Sequence, residues 1–124
     1  MQAKPGPKEL MIGTDIIEVE RFKNLSERFM AKYFTELELE YLKGRRPENV
    51  AGIFAAKEAV AKALGTGFAG FSPAAIEVNH NIAGKPEIIL HGNAAKIAED
   101  LGIKTVVVSI SHCKTLAVAM AMAQ

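Results

Sequence analysis

Cysteine is nearly missing from this chain: Cys113 is the only one among 124 residues. An intrachain disulfide is therefore impossible, and the simplest home is a reducing cytosol. Long hydrophobic runs are missing too. The longest, residues 116–123, falls far short of the roughly 20 apolar residues that span a bilayer. Residues 1–10 hold lysines and prolines but no apolar stretch of the secretory kind, and residues 1–9 are expected to form a flexible leader. Charge of one sign is scarce: the net charge is +1, which argues against a general nucleic-acid binder with its large basic face. Histidine is sparse and scattered. His80, His91 and His112 lack close metal-ligand spacing. His112 and Cys113, adjacent in a strand, would point to opposite faces and form no dyad. No glycine pattern matches a P-loop or a dinucleotide fingerprint, since Gly65-Thr66-Gly67 is too short and lacks the flanks.

What is present suits one domain over residues 1–124. A chain of this size buries roughly two thirds of its unfolded surface, enough for one ordinary core. Hydrophobic residues make up 49% and charged residues 23%, a globular balance. Residues 10–19 are apolar and β-branched and read as a buried strand. In residues 20–33, Phe22, Leu25, Phe29 and Met30 recur at helical spacing, with Arg21, Lys23, Arg28 and Lys32 between them. One amphipathic helix with a basic side is expected there. Thr35 followed by Glu38 is a capping-box signature for a short helix running to about Lys43. Pro47 fits the first turn of the longest helix, residues 48–64, and Gly65 its C-terminal cap. Two strands (75–79 and 86–90) flank a turn with Gly84-Lys85-Pro86. A helix over 93–101 and two more strands (104–110 and 115–122) complete the chain. A block of helices between strands indicates an α+β fold, with helices packed on one face of a small, mainly antiparallel sheet.

Two acidic residues stand out. Asp15 interrupts an apolar strand, where a lone carboxylate needs a cation, a metal or several N–H donors. Glu58 and Lys62 lie one turn apart on the long helix, on a face beside Phe54 and Ala55 and away from the stripe Ile53, Ala56, Val60 and Leu64. Alone, they read equally as a surface ion pair. Asp15 and Glu58 together offer the two carboxylates that commonly hold Mg²⁺ while leaving room for water and phosphate. Lys62 can then meet a phosphate oxygen as a point charge. Arg45, Lys85 and His112 are further candidates for anionic groups.

These residues resemble one family. Residues 12–21 (IGTDIIEVER) look like the opening motif of bacterial holo-[acyl carrier protein] synthases, in the 4′-phosphopantetheinyl transferase superfamily. Residues 54–67 (FAAKEAVAKALGTG) are similar to their long-helix signature, and Gly84-Lys85-Pro86 and Ser109-Ile110-Ser111-His112 to two later motifs. Order and spacing agree from about Met11 to Ala121. The resemblance implies a homotrimer with active sites at subunit interfaces, and coenzyme A and acyl carrier protein as substrates. It implies that Asp15 and Glu58 hold magnesium and that Lys62 contacts the coenzyme A phosphates. Ser111 and His112 would lie at the nucleotide end and Gly84, Lys85 and Pro86 near the adenine. Arg45 would be a basic coenzyme A contact. Arg21, with Arg28 and Lys32 on the same basic side, would meet the acidic carrier.

The implied reaction is attack by a carrier serine on the β-phosphate of coenzyme A, releasing adenosine 3′,5′-bisphosphate. Either Glu58 or a water on the metal takes the serine proton. The chain departs from the family pattern at Ile53, where relatives often carry arginine and Arg46 is the nearest substitute. It also lacks the acidic residue often found before Ile76-Glu77-Val78. A non-catalytic coenzyme A or nucleotide-binding module is the rival reading. Paired carboxylates argue against it, because a pure anion site gains little from two negative charges. A structural oligomerising domain is a second rival, which the absence of any Mg²⁺-dependent ligand binding would favour.

Overall fold

The computed structural model describes residues 10–124; the expected leader lies outside the described residues. The elements run β1 (Met11–Glu18), a 3-10 turn (Val19–Phe22), α1 (Glu27–Tyr33), α2 (Glu36–Leu42), α3 (Pro47–Ala63), a second 3-10 turn (Pro73–Ala75), β2 (Ile76–His80), β3 (Pro86–Leu90), α4 (Gly92–Asp100), β4 (Val106–His112) and β5 (Leu116–Ala123). The fold is α+β. The expected single sheet is two: an antiparallel sheet in the order β1-β5-β4 and a separate hairpin, β2-β3.

α3 lies across the larger sheet, and small residues let it come close. Every second residue of β5 is alanine: Ala117, Ala119, Ala121 and Ala123 face inward and are buried. Ala51, Ala55, Ala56, Ala59, Ala61 and Ala63 of α3 are buried against them and their neighbours. Gly13 on β1 marks the tightest approach. A Cβ there would overlap the Ala59 carbonyl oxygen and lie 2.6 Å from the Ala63 nitrogen. A helix apolar nearly all round belongs inside a core, and α3 is buried along almost its whole length. The sequence pattern had placed Phe54 and Ala55 beside a polar face, yet both are buried. Only Glu58, half-buried, and Lys62, exposed, break that cover between Val50 and Leu64.

Two expectations are corrected. The first strand is not buried on both faces: Gly13, Asp15 and Ile17 point inward, but Ile12 and Ile16 are 60% and 64% exposed. Residues 20–33 do not form one helix. Asn24 takes φ 60°, a left-handed conformation that asparagine tolerates and that breaks a helix. Ser26 then caps a new helix, its Oγ accepting from the Phe29 N–H at 3.1 Å. Arg21 therefore sits on the 3-10 turn, apart from Arg28 and Lys32 on α1.

The capping box formed as read. Thr35 Oγ1 accepts from the Glu38 N–H (3.2 Å), and Glu38 Oε1 accepts from the Thr35 N–H (2.9 Å). Glu38 does more than cap: it is buried with Lys57, whose Nζ lies 2.7 Å from Glu38 Oε1. A buried charge without its partner is costly, so this pair is held as a unit at the contact of α2, α3 and β2.

Candidate active site

Asp15 comes from β1, two residues beyond the close approach at Gly13 and on the same inward face. The glycine lets β1 settle onto α3, which sets Asp15 beside Lys62. Lys62 Nζ donates to Asp15 Oδ1 at 3.1 Å and to the Thr14 carbonyl at 3.0 Å. The Asp15 side chain is 15% exposed and that of Lys62 is 51% exposed. Glu58 stands one turn earlier on the same helix. Burial raises its carboxyl above the ordinary value of 4.5, and the Asp15 charge raises it further, against opposing pulls from Lys62 and Arg21. The lysine thus pairs with Asp15 across elements, and Arg21 acts on the same cluster.

Two facing carboxylates, one resisting ionisation, are a donor set that a hard divalent cation relieves. Among the described residues no group of three or more histidine, cysteine, aspartate or glutamate side chains could hold a metal. The chemistry fits Mg²⁺ bound through two carboxylates, with remaining oxygens from water and a phosphate-bearing ligand.

The second part of the site is a cavity of about 480 Å³. Its walls are Asn49, Gly52 and Ile53 of α3, Tyr41 of α2, the hairpin residues His80, Gly84, Lys85 and Pro86, and Val108, Ser109, Ile110 and His112 of β4. Gly52 lets α3 pack closely on β4 in this wall: a Cβ there would lie 2.9 Å from Ile110 Cγ2. The hairpin turn is shaped by Asn81. Its carbonyl accepts from the Gly84 N–H (2.9 Å) and its Oδ1 from the Lys85 N–H (2.9 Å). Gly84 supplies the φ of 86° that this turn needs.

Arg45 does not line the cavity. It lies over the Tyr41 ring, its Cζ 3.9 Å from the centroid, and Nε donates to the Tyr41 carbonyl at 2.8 Å. Tyr41 in turn stacks on His80 at 3.8 Å and 6°. Burial, and then the Arg45 charge, lower the His80 pKa below its ordinary value. Ser111 is exposed and absent from the lining, on the strand face opposite His112. Ile53, where an arginine was noted as missing, is buried in this wall; Arg46 lies exposed just before α3.

The structure thus brings Asp15, Glu58 and Lys62 together in one place, and Gly84, Lys85, Pro86 and His112 in another. Both places lie along α3, with Gly52 and Glu58 about 9 Å apart by helix rise. Sequence reasoning passed over Gly13, Gly52, Tyr41, His80 and Ser109. The two glycines sit inside quoted or neighbouring stretches, but their role depends on what lies opposite them.

A model of the 4′-phosphopantetheinyl transferase superfamily matches residues 11–121, and the chain belongs to that superfamily. Within it, the chain is 47% identical over 120 residues to the holo-[acyl-carrier-protein] synthase of Caldanaerobacter subterraneus subsp. tengcongensis, covering 93% of this chain and 94% of that one. Among solved structures, the holo-[acyl-carrier-protein] synthase of Neisseria meningitidis superposes with a TM-score of 0.83 at 35% identity, over 92% of this chain and 97% of that one. The Bacillus anthracis synthase, solved with coenzyme A (3′,5′-ADP), gives 0.75 at 39% identity, over 91% and 94%.

Proposed function

We propose that this chain is a holo-[acyl-carrier-protein] synthase. It transfers 4′-phosphopantetheine from coenzyme A to a serine of apo-acyl carrier protein and releases adenosine 3′,5′-bisphosphate. The observation that carries this reading is the Asp15–Lys62–Glu58 cluster, set along the same helix as a cavity walled by Gly84, Lys85, Pro86 and His112. Nearly full-length similarity to synthases supports it.

Asp15 and Glu58 would hold Mg²⁺, which when bound neutralises pyrophosphate charge and stabilises the departing oxygen. Lys62, half-exposed and already oriented by Asp15 and the Thr14 carbonyl, offers its ammonium to a phosphate oxygen. The serine oxygen bonds to the β-phosphorus as the bond to the bisphosphate oxygen breaks. Either Glu58 or a water in the site takes the serine proton. The cavity takes the nucleotide end: Lys85 and His112 face its phosphates, and the Gly84-Lys85-Pro86 turn faces the base. Arg45, held on Tyr41, adds positive charge at the rim, and Ser111 reaches the ligand only from outside this cavity.

The cluster and the cavity are separate in one copy of the chain, and a second copy can join them. The outer face of the β1-β5-β4 sheet exposes Ile12, Ile16, Val107, Val118, Met120 and Met122. Such an apolar patch marks an association surface. A homotrimer with sites between subunits is the assembly this reading adopts. Arg21, Arg28 and Lys32 are exposed, with Arg21 acting on Glu58, and would steer the acidic carrier. Cys113 is free and exposed, which fits a reducing cytoplasm. No helix among the described residues is long and apolar enough to cross a membrane.

Intact-mass spectrometry of apo-acyl carrier protein incubated with this protein, coenzyme A and Mg²⁺ tests the proposal. A gain of one phosphopantetheine that EDTA abolishes is expected. Tight nucleotide binding without any mass gain would replace the enzyme with a binding module.

A further inference from the structure

Lys57 and Glu38 are the two fully buried charges among the described residues, and the mechanism above gives Lys57 no task. It sits in α3 between Ala56 and Glu58, with no exposed surface. Its ammonium spends all three N–H groups. One meets Glu38 Oε1 at 2.7 Å, one the Ile76 carbonyl at 2.7 Å, and one the Pro73 carbonyl at 3.0 Å. Glu38 is equally engaged: Oε1 also accepts from the Thr35 N–H at 2.9 Å, and Oε2 accepts from the Val78 N–H at 2.8 Å.

The partners are not scattered. They are the start of α2, the turn before β2, and β2 itself. Those elements carry the cavity wall that faces α3. Tyr41 follows Glu38 by one turn of α2, and His80 follows Val78 by two residues on β2 before the Gly84-Lys85-Pro86 turn. The α3 wall, Asn49, Gly52 and Ile53, ends one turn before Lys57. One lysine therefore ties both parts of the far wall to the helix that forms the near wall. The Tyr41–His80 stack closes the same connection at its outer end.

We infer that Lys57 and Glu38 are positioning residues for the nucleotide end of the ligand: they set the spacing between the two walls of the cavity. This rests on the reading of that cavity as the nucleotide site. A cavity held by few contacts loses affinity steeply when its walls shift, since about 1 Å of misplacement costs up to roughly a hundredfold.

The test is calorimetric titration with adenosine 3′,5′-bisphosphate, together with coenzyme A kinetics. Lys57→Met is compared with Val60→Ala, a core change on the same helix outside this network. At a temperature where both stay folded, Lys57→Met is expected to raise the bisphosphate Kd and the coenzyme A KM about tenfold or more, with kcat within a few-fold. Val60→Ala should leave both constants unchanged. Equal constants in folded Lys57→Met and wild type would overturn the inference and leave the cavity reading intact. Should Lys57→Met not fold, amide exchange of the wild-type chain decides. Saturating bisphosphate is expected to slow the Val78 N–H more than amides of β1 and β5, because coupling between ligand and network is reciprocal. Equal slowing overturns the inference. A wild-type chain that binds no bisphosphate overturns this inference and the cavity reading together.

Discussion

Glu58 feels burial and Asp15 pushing its pKa up, and Lys62 and Arg21 pulling it down; the push wins. A protonated carboxyl cannot hold a cation. In the metal-free protein the Glu58 carboxyl is therefore expected to titrate above the ordinary carboxylate value of 4.5. Asp15→Asn, which removes the neighbouring charge, should lower the Glu58 titration seen by NMR in the metal-free protein. In that state the sign for stability runs the other way: Glu58 costs the fold free energy as pH rises through its raised value. Glu77 is the opposite case. Burial pushes it up, but hydrogen bonds from Thr35 and His91 outweigh that and depress it. Its contribution is present above 4.5 and lost as pH falls through the depressed value, so Glu77→Gln should flatten the acid limb of Tm. Asp15→Ala and Glu58→Ala are each expected to cut kcat about 10²–10³-fold and to weaken the Mg²⁺ dependence. Normal turnover in either, in a folded protein, would remove the proposed metal site.

At the scale of elements, the packing of β1 on α3 decides where the carboxylates meet. Gly13→Ala has no room against the Ala59 carbonyl. A cost of about 1–3 kcal/mol is expected in denaturant melts, with activity falling further than stability because Asp15 moves with the strand. Capping and turns were legible in the sequence because they are local. Thr35 and Glu38 announce the start of α2, and Pro47 and Gly65 bracket α3. The break between the first 3-10 turn and α1 was not legible, since apolar spacing runs across it. Asn24 and Ser26 were the signals, and they outweigh the periodicity locally. Lys57 was missed for a different reason. A lysine among alanines reads as solvated, and only α2 and β2 folding over it bury its head. Lys57→Met, leaving Glu38 alone, should cost about 3–5 kcal/mol, measurable as a shift in the urea midpoint.

For the whole molecule, the exposed apolar sheet face argues for association. Met120→Glu in its centre is expected to shift sedimentation from the proposed trimer to monomer and to abolish transfer. An unchanged trimer would place the interface elsewhere. Arg21→Glu should raise the KM for acyl carrier protein and reduce its salt dependence. Because Arg21 also pulls on Glu58, a parallel fall in kcat is expected, which Arg28→Glu should not show.

The sequence by itself named the candidate groups and their order along the chain: two carboxylates, a lysine, a turn and a strand-end histidine. It also determined the α+β class, because periodicity and caps are local properties of neighbouring residues. Only the tertiary structure decided which groups face one another. Asp15 pairs with Lys62 because a glycine lets β1 touch α3. α3 meets Ile110 of β4 in the cavity wall because Gly52 has no side chain. Ser111 turns away while His112 turns in. Lys57 is a buried strut and not a surface charge. Each of these depends on what lies across a contact between residues distant in the chain, which no local pattern encodes.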